Sequence, residues 1–533
     1  MHLVSLAKRS GSTGRLSKLM SGRARVVDVK RAWVRELAGW LGAALIAVIA
    51  TAQVASTARV ELLLRDGDSL VVPMFVRSLL EGQGADWAMS TVLFLPESAV
   101  FALLRLALPI GIDAVLLVNA AVNLLALYGA VRLVAGRRVS GRAPVAWSLV
   151  AIAVFGIVAV TEVSASRESL ELASLLLTTT YYSATVIAVV ASIGIARRVC
   201  ERQGRSTGLL ITLAAVAALS TLSNPLYAVW ATVPLGVVLG IAALRADGRS
   251  RMLSLMFWMV AGTVVGLLAR IPFAPWIENS GVGYAQPHLW PQSAQYYASL
   301  LGERLSTPLG WVAAVVIVGL VVLGIRRTVR ADSRGARLVA ASAWLLPLLV
   351  LVGAIALGTN AARYLEPLAF APILALVADP RVLVAAPGRR VSRSVTRSLA
   401  AGAAVMLLVG AGLSIPRAAA QATAEDADLA CVTDWIDESG RTGAGQFWTV
   451  RLPKLHLADP AQLVQVDHRL NGYAWLVNRA DFAATEVTFL IEDDQTRNWS
   501  LPAGGVPIDV VDCGRYAIYD FAPDSLPLGF PHS

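Results

Sequence analysis

Residues 62–73 read LLLRDGDSLVVP, and within them Arg65, Asp66, Gly67 and Asp68 set one guanidinium and two carboxylates into an otherwise apolar stretch. An aspartate beside a hydroxyl can take its proton as a general base. An adjacent arginine can hold the charge that develops on a departing anion. The same residues also read as an Asp-Gly turn, so a structural reading of Asp66 and Asp68 stands beside the chemical one. No soluble-type catalytic motif competes with them. His2, His288, His456, His468 and His532 show no metal-binding spacing, and neither a Walker A loop nor a GxSxG elbow occurs.

The elements that must position this cluster are dictated by composition. The 533-residue chain is 56% hydrophobic and 15% charged, with a mean hydropathy of +0.63, whereas soluble domains carry about 25% charged residues. Charge-free runs occur at 37–58, 114–131, 144–161, 176–196, 208–223, 225–244, 252–269, 309–325, 338–358, 367–378 and 398–415. Most approach or reach the roughly 17 to 25 residues that cross a hydrocarbon core of about 30 Å. The pI near 9.8 does not signal nucleic-acid binding, because the basic residues lie between the apolar runs rather than on a patch with interleaved aromatics.

One further stretch, 91–110, is ambiguous, and the arginines arbitrate. If it does not cross, the segments 1–36, 132–143, 197–207, 245–251, 326–337 and 379–397 fall on one side and hold 30 of the 46 Lys and Arg. If it does cross, most of those clusters fall outside, against the positive-inside bias. The expected fold is therefore a polytopic α-helical membrane protein of about eleven transmembrane helices, N-terminus in and C-terminus out, with a small extracytoplasmic α+β domain. Its parts are a disordered basic tail over 1–36, a transmembrane region over 37–415 and the C-terminal domain over 416–533. Loops 59–112 and 271–308 lie outside, and 97–108 forms an interfacial or re-entrant helix. Cys431 and Cys513 share the outer compartment, where oxidising conditions permit a bridge, while Cys200 lies inside.

The span cores lack ionisable side chains. Ion-coupled transporters place such groups at mid-membrane in spite of their cost; here the acids and arginines gather at the outer mouth. That distribution points to outer-surface chemistry on a membrane-delivered substrate. If an acceptor hydroxyl displaces phosphate from a sugar's anomeric carbon, Asp66 or Asp68 suits the base, and Arg65, Arg167 and Arg363 suit the phosphate. Loop 271–308 is rich in Pro, Trp and Tyr, with His288, Tyr296 and Tyr297 as sugar-contact candidates and Trp276 and Trp290 as headgroup anchors.

A first span, a large outer loop with an acidic motif, many further spans and an outer C-terminal domain together resemble the GT-C superfamily of polyprenyl-phosphate-sugar-dependent glycosyltransferases. The resemblance implies that a carboxylate of the first outer loop is catalytic, matching Asp66 or Asp68, with Asp86 of Asp86-Trp87 as a rival. ARYLEPLAFAPILALVA, 362–378, resembles the superfamily's Arg-Tyr-x-x-Pro opening of a late span through Arg363, Tyr364 and Pro367; Glu366 is not expected of every member. Glu97 and Tyr364 join Asp86 as possible substrate contacts. The implied setting is a bacterial plasma membrane, with a lipid-linked sugar donor, a glycan or lipid acceptor, membrane lipids around the chain and no nucleic acid. No cofactor and no metal ligand set is assigned, although RDGDS is compatible with a divalent cation. Two other readings stay open: a flippase or transporter of lipid-linked envelope precursors, and a non-catalytic envelope assembly protein.

Overall fold

The computed structural model of the chain describes residues 11–137, 141–244, 248–279, 281–381, 393–501 and 505–533. In chain order its helices are α1 (Gly11–Ala55), α2 (Val71–Leu80), α3 (Leu95–Ala107), α4 (Ile112–Val134), α5 (Pro144–Val160), α6 (Ser183–Glu201), α7 (Thr207–Ser223), α8 (Val233–Leu244), α9 (Arg249–Leu268), α10 (Trp290–Leu305), α11 (Pro308–Arg330), α12 (Arg334–Ala356), α13 (Pro367–Phe370), α14 (Leu374–Ala378), α15 (Arg393–Ala422), α16 (Ala427–Ser439) and α17 (Phe447–His456). Among the described residues seven helices are long and apolar enough to cross a membrane, within α1, α4, α6, α9, α11, α12 and α15. The helices α5, α7 and the stretch Ala228–Leu244 are apolar but shorter.

Several expected spans change character. Residues 176–182 of the run 176–196 lie outside α6, which starts only at Ser183. The run 367–378 breaks into the one-turn helices α13 and α14. Pro367 and Pro372 each lack a backbone donor, which interrupts the helical ladder. The broken segment is buried against α5, α11 and α12, where irregular backbone at such depth is tolerated. The basic tail is not wholly irregular either. Residues 11–36 continue α1, since an established helix extends at little cost into Arg, Lys, Leu and Ala; residues 1–10 lie outside the described residues.

Loop 59–112 contains α2 and α3. At 13 residues and about 1.5 Å per residue, α3 falls well short of a span. It buries Glu97, Ser98 and Phe101 and exposes Leu103 and Leu106, so its outward side is apolar. Close packing of α7 on α9 uses Gly262 and Gly266, where a Cβ would meet the backbone carbonyls of Ala214 and Ala218.

The described parts of the arginine-rich segments converge on one end of the bundle. Arg197 donates to the carbonyls of Val134 (2.8 Å) and Val377 (2.9 Å), Ala143 N donates to Pro380 O (2.8 Å), and Trp147 Nε1 to Arg381 O (2.8 Å). At the other end, Arg270 donates to Thr91 O (2.6 Å) and Arg304 to Thr161 O (3.0 Å), joining 59–112, 161–182 and 270–308.

The C-terminal domain begins after α15, about two turns beyond residue 416. Strands β1 (Trp87–Ala88), β2 (Gly443–Gln446), β3 (Leu463–Val466), β4 (Asn471–Tyr473), β5 (Val477–Asn478), β6 (Glu486–Val487), β7 (Phe489–Glu492), β8 (Asp509–Cys513), β9 (Tyr516–Asp520), β10 (Leu526–Pro527) and β11 (Gly529–His532) complete the chain. Seven of them form a mixed sheet in the order β11-β4-β3-β2-β7-β9-β8. The central β2 pairs in parallel with β3 and β7, and the β2–β3 pair needs the crossover that α17 supplies. The disulfide Cys431–Cys513, expected from compartment alone, ties α16 to β8. β1, from the first large loop, pairs with β5 of this domain.

Candidate active site

The cluster that opened the sequence sits where α1 gives way, through the helical turn Glu61–Arg65, to an extended Asp66. Asp66 folds the loop on itself: its Oδ2 accepts from the backbone N of Asp68 (3.1 Å) and Ser69 (3.3 Å) and from the Tyr181 hydroxyl (3.2 Å). Its Oδ1 accepts from Arg167 (2.9 Å). Burial pushes the Asp66 carboxyl up to about 6, with the nearby Asp68 adding to the rise and Arg167 opposing it. The two aspartates differ in their partners: the Asp68 carboxylate has no hydrogen-bond partner among the described residues and lines a cavity of about 350 Å³. Gly67 allows a close approach, since a Cβ there would stand 3.0 Å from the Trp448 ring and 3.1 Å from the Arg451 side chain.

The opposing wall is the segment 161–182. Thr180 Oγ1 donates to Asp68 O (2.6 Å) and Thr179 Oγ1 to Ser69 O (2.6 Å), which fixes the loop's carbonyls. Buried charges hold the segment in turn. The fully buried Arg59 donates to Ser174 Oγ (2.8 Å) and to the carbonyls of Ser164 (2.9 Å) and Ser166 (2.8 Å). Glu171 accepts from Arg304 (2.7 Å), and Glu162 accepts from the backbone N of Ala173 (2.9 Å) and Ser174 (2.6 Å). Such a network satisfies each buried charge, without which its burial would be costly.

Arg363 and Tyr364 enter the cavity wall from the turn before α13, and Glu168 faces them at 3.3 Å from Arg363 Nη1. The C-terminal domain contributes Trp448 and Trp475, with the Arg167 guanidinium stacked 3.4 Å from the Trp448 ring centroid. Of the four non-glycine residues with positive φ among the described residues, Phe94, Tyr182 and Leu476 line this cavity. Left-handed backbone costs such residues about 1–2 kcal/mol, and strain of this kind gathers at functional sites. A second, mostly apolar cavity of about 280 Å³ shares the walls Thr91, Val92, Tyr182, Tyr284 and Tyr364 and runs on past Pro225, Trp230 and Val350.

Among the residues singled out from the sequence, Asp68, Arg167, Arg363 and Tyr364 therefore meet at one cavity, with Asp66 directly behind it. Others lie elsewhere, for identifiable reasons. Arg65 pairs with Glu61 (2.7 Å) and Asp426 (3.1 Å), so it fastens the C-terminal domain rather than facing the cavity. Asp86 is mostly exposed and pairs with Arg479 (2.7 Å), another inter-domain fastener, while the neighbouring Trp87 is buried and donates to Ser78 Oγ (2.8 Å). Glu97 is buried on α3, accepts from Ala184 N (3.3 Å), and is pushed up to about 7 by burial. Tyr297 is buried against Thr359 (3.0 Å), and His288 is exposed outside the wall. Tyr296 reaches the cavity only through Glu168, to which its hydroxyl donates at 2.7 Å.

Sequence reasoning missed Trp448, Trp475, Arg451 and the threonines 179 and 180. The TTTYYS stretch carried a signal, four hydroxyls and two phenols at the end of an apolar run, but hydropathy counts it as span. Arg451 is fully buried below the loop, stacked 4.7 Å from the Phe447 ring and donating to Leu476 O (2.8 Å). Burial lowers its guanidinium to about 10, against the opposing pull of Asp68 and Asp66. Among the described residues no cluster of three or more His, Cys, Asp or Glu is placed to hold a metal ion.

No protein-family model matches the chain, and no curated protein does.

Proposed function

We propose that this chain is a membrane glycosyltransferase of GT-C type, moving a sugar from a polyprenyl-phosphate donor to a cell-envelope acceptor at the outer face of a bacterial plasma membrane. The observation that carries the reading is the junction of two cavities. The polar one presents Asp68, Arg167 and Arg363; the apolar one joins it along a shared wall. An amphiphile with an anionic head and a long hydrocarbon tail matches that pair.

In this reading the donor phosphate lies against Arg363 and the N–H groups that Arg167 does not give to Asp66, with the first isoprene units in the apolar groove. Asp68 takes the proton of the acceptor hydroxyl as its oxygen bonds to the anomeric carbon. The bond from that carbon to the phosphate oxygen breaks, and its electron pair leaves on the phosphate. Arg363 and Arg167 neutralise the charge as it forms. Asp66 is a positioning residue that holds Arg167 and shapes the turn. The 11-span count and outward C-terminal domain belong to the same proposal, supported by the convergence of basic segments at the opposite end.

The test is reconstitution of the purified protein in liposomes with labelled polyprenyl-phosphate sugars and an envelope extract as acceptor. A new glycosidic product is expected. Relocation of the label across the bilayer with no new glycosidic bond would replace the reading with that of a flippase.

A further inference from the structure

A third cavity lies at the other end of the bundle, far from the chemistry, between α8, α9, α11 and α12; its volume is about 250 Å³. One face of α12 lines it with Arg334, Arg337, Leu338, Ala341, Trp344 and Leu345, a spacing that puts all six on one helical stripe. The stripe is polar only at its first turn. Opposite it stand Ile241 of α8 and Met252 of α9. From Arg334 to Leu345 the helix rises roughly 16 Å, about half the hydrocarbon thickness of a bilayer.

A groove that is charged at one end, apolar below, and one leaflet deep is shaped for an amphiphile. The charge sets which kind. Segment 326–337 carries five arginines and a single acid, Asp332. Arg334 and Arg337 are both exposed at the groove mouth. We propose that this groove is a binding site for an anionic glycerophospholipid of the leaflet at the arginine-rich end, with its phosphate on Arg334 and Arg337 and one acyl chain along α12 past Trp344. Juxtamembrane arginines attract anionic headgroups in this way. The site is independent of the transfer reaction and would stand if that reading failed.

Native mass spectrometry of the full chain in mild detergent, titrated with phosphatidylglycerol or phosphatidylcholine, tests it. The wild type should retain phosphatidylglycerol in clear preference to phosphatidylcholine. The double variant Arg334→Gln/Arg337→Gln should lose that preference, with phosphatidylglycerol affinity falling roughly tenfold or more. Arg334→Lys/Arg337→Lys should keep it, which separates charge from fold, and Ala341→Trp should reduce retention of both lipids by filling the groove. Equal retention of the two lipids by the wild type, or undiminished phosphatidylglycerol preference in the Gln double variant with an unchanged melting temperature, would overturn the proposal.

Discussion

The arginines that brace the basic end of the helical bundle and those that line the cavity are used differently. At the end where the basic segments meet, Arg197 and Arg327 give their N–H groups to backbone carbonyls, those of Val134 and Val377 for the first and of Ala375 and Leu376 for the second. These are carbonyls that helix ends and broken helices leave without a partner. At the other end Arg167, Arg304 and Arg363 meet carboxylates, those of Asp66, Glu171 and Glu168. Arg304 also donates to Thr161 and holds the segment 161–182, whereas Arg167 and Arg363 line the cavity, each met by one carboxylate. The contrast separates arginines that stabilise the fold from arginines that face a cavity, although counting residue types along the chain treats them alike.

The largest effect that can break this contrast is expected at Asp68. Asp68→Asn should lower sugar transfer about 10³-fold, the scale of a lost general base, with an unchanged melting temperature. Arg363→Gln should follow with a loss of about 10²-fold in kcat/KM for the donor, again without unfolding. At the opposite end the pattern should invert. Arg197→Leu leaves buried carbonyls unpaired and should cost about 2 kcal/mol of stability by chemical denaturation, while activity per folded molecule stays within about twofold.

Asp66 sharpens the comparison through pH. Protonation below about 6 weakens its ion pair with Arg167, so transfer should fall on the acid side of that value, and the limb should move in Asp66→Asn. For stability the sign is opposite. A carboxyl whose pKa folding raises from 3.8 to about 6 contributes fully below the lower value, and that contribution is lost as pH rises through the upper one. Asp66→Asn, neutral throughout, should remove that decline from the melting temperature. The smallest effect belongs to Asp86→Ala, which breaks a largely exposed pair with Arg479 and should change stability by no more than about 1 kcal/mol.

What could be read in the sequence follows from the range of the signals. Charge-free runs report helices that lipid or protein must cover, and they located most of the bundle. Arginine bias located the end bearing Asp68, Arg167 and Arg363 without knowledge of any contact. Hydropathy could not see that Thr178 to Tyr182 leave the helix, because uncharged hydroxyls satisfy a buried loop as quietly as a span buries methyls. It also missed the break at Pro372. Trp448 and Trp475 lie hundreds of residues from Asp68 in sequence and meet it only after the C-terminal domain docks through Arg65, Asp86 and β1, an event with no local signature. Those three docking features explain why two of the most suggestive loop residues, Arg65 and Asp86, proved to be fasteners.

The central claim is that the free carboxylate of Asp68 drives transfer from a lipid-linked sugar. It is tested most directly by incubating membranes that contain equal amounts of wild type or Asp68→Asn with a panel of labelled polyprenyl-phosphate sugars. The account predicts acceptor labelling from one donor class in the wild type and its loss by about 10³-fold in Asp68→Asn. Transfer undiminished in Asp68→Asn, or no protein-dependent transfer from any donor in the panel, would contradict it.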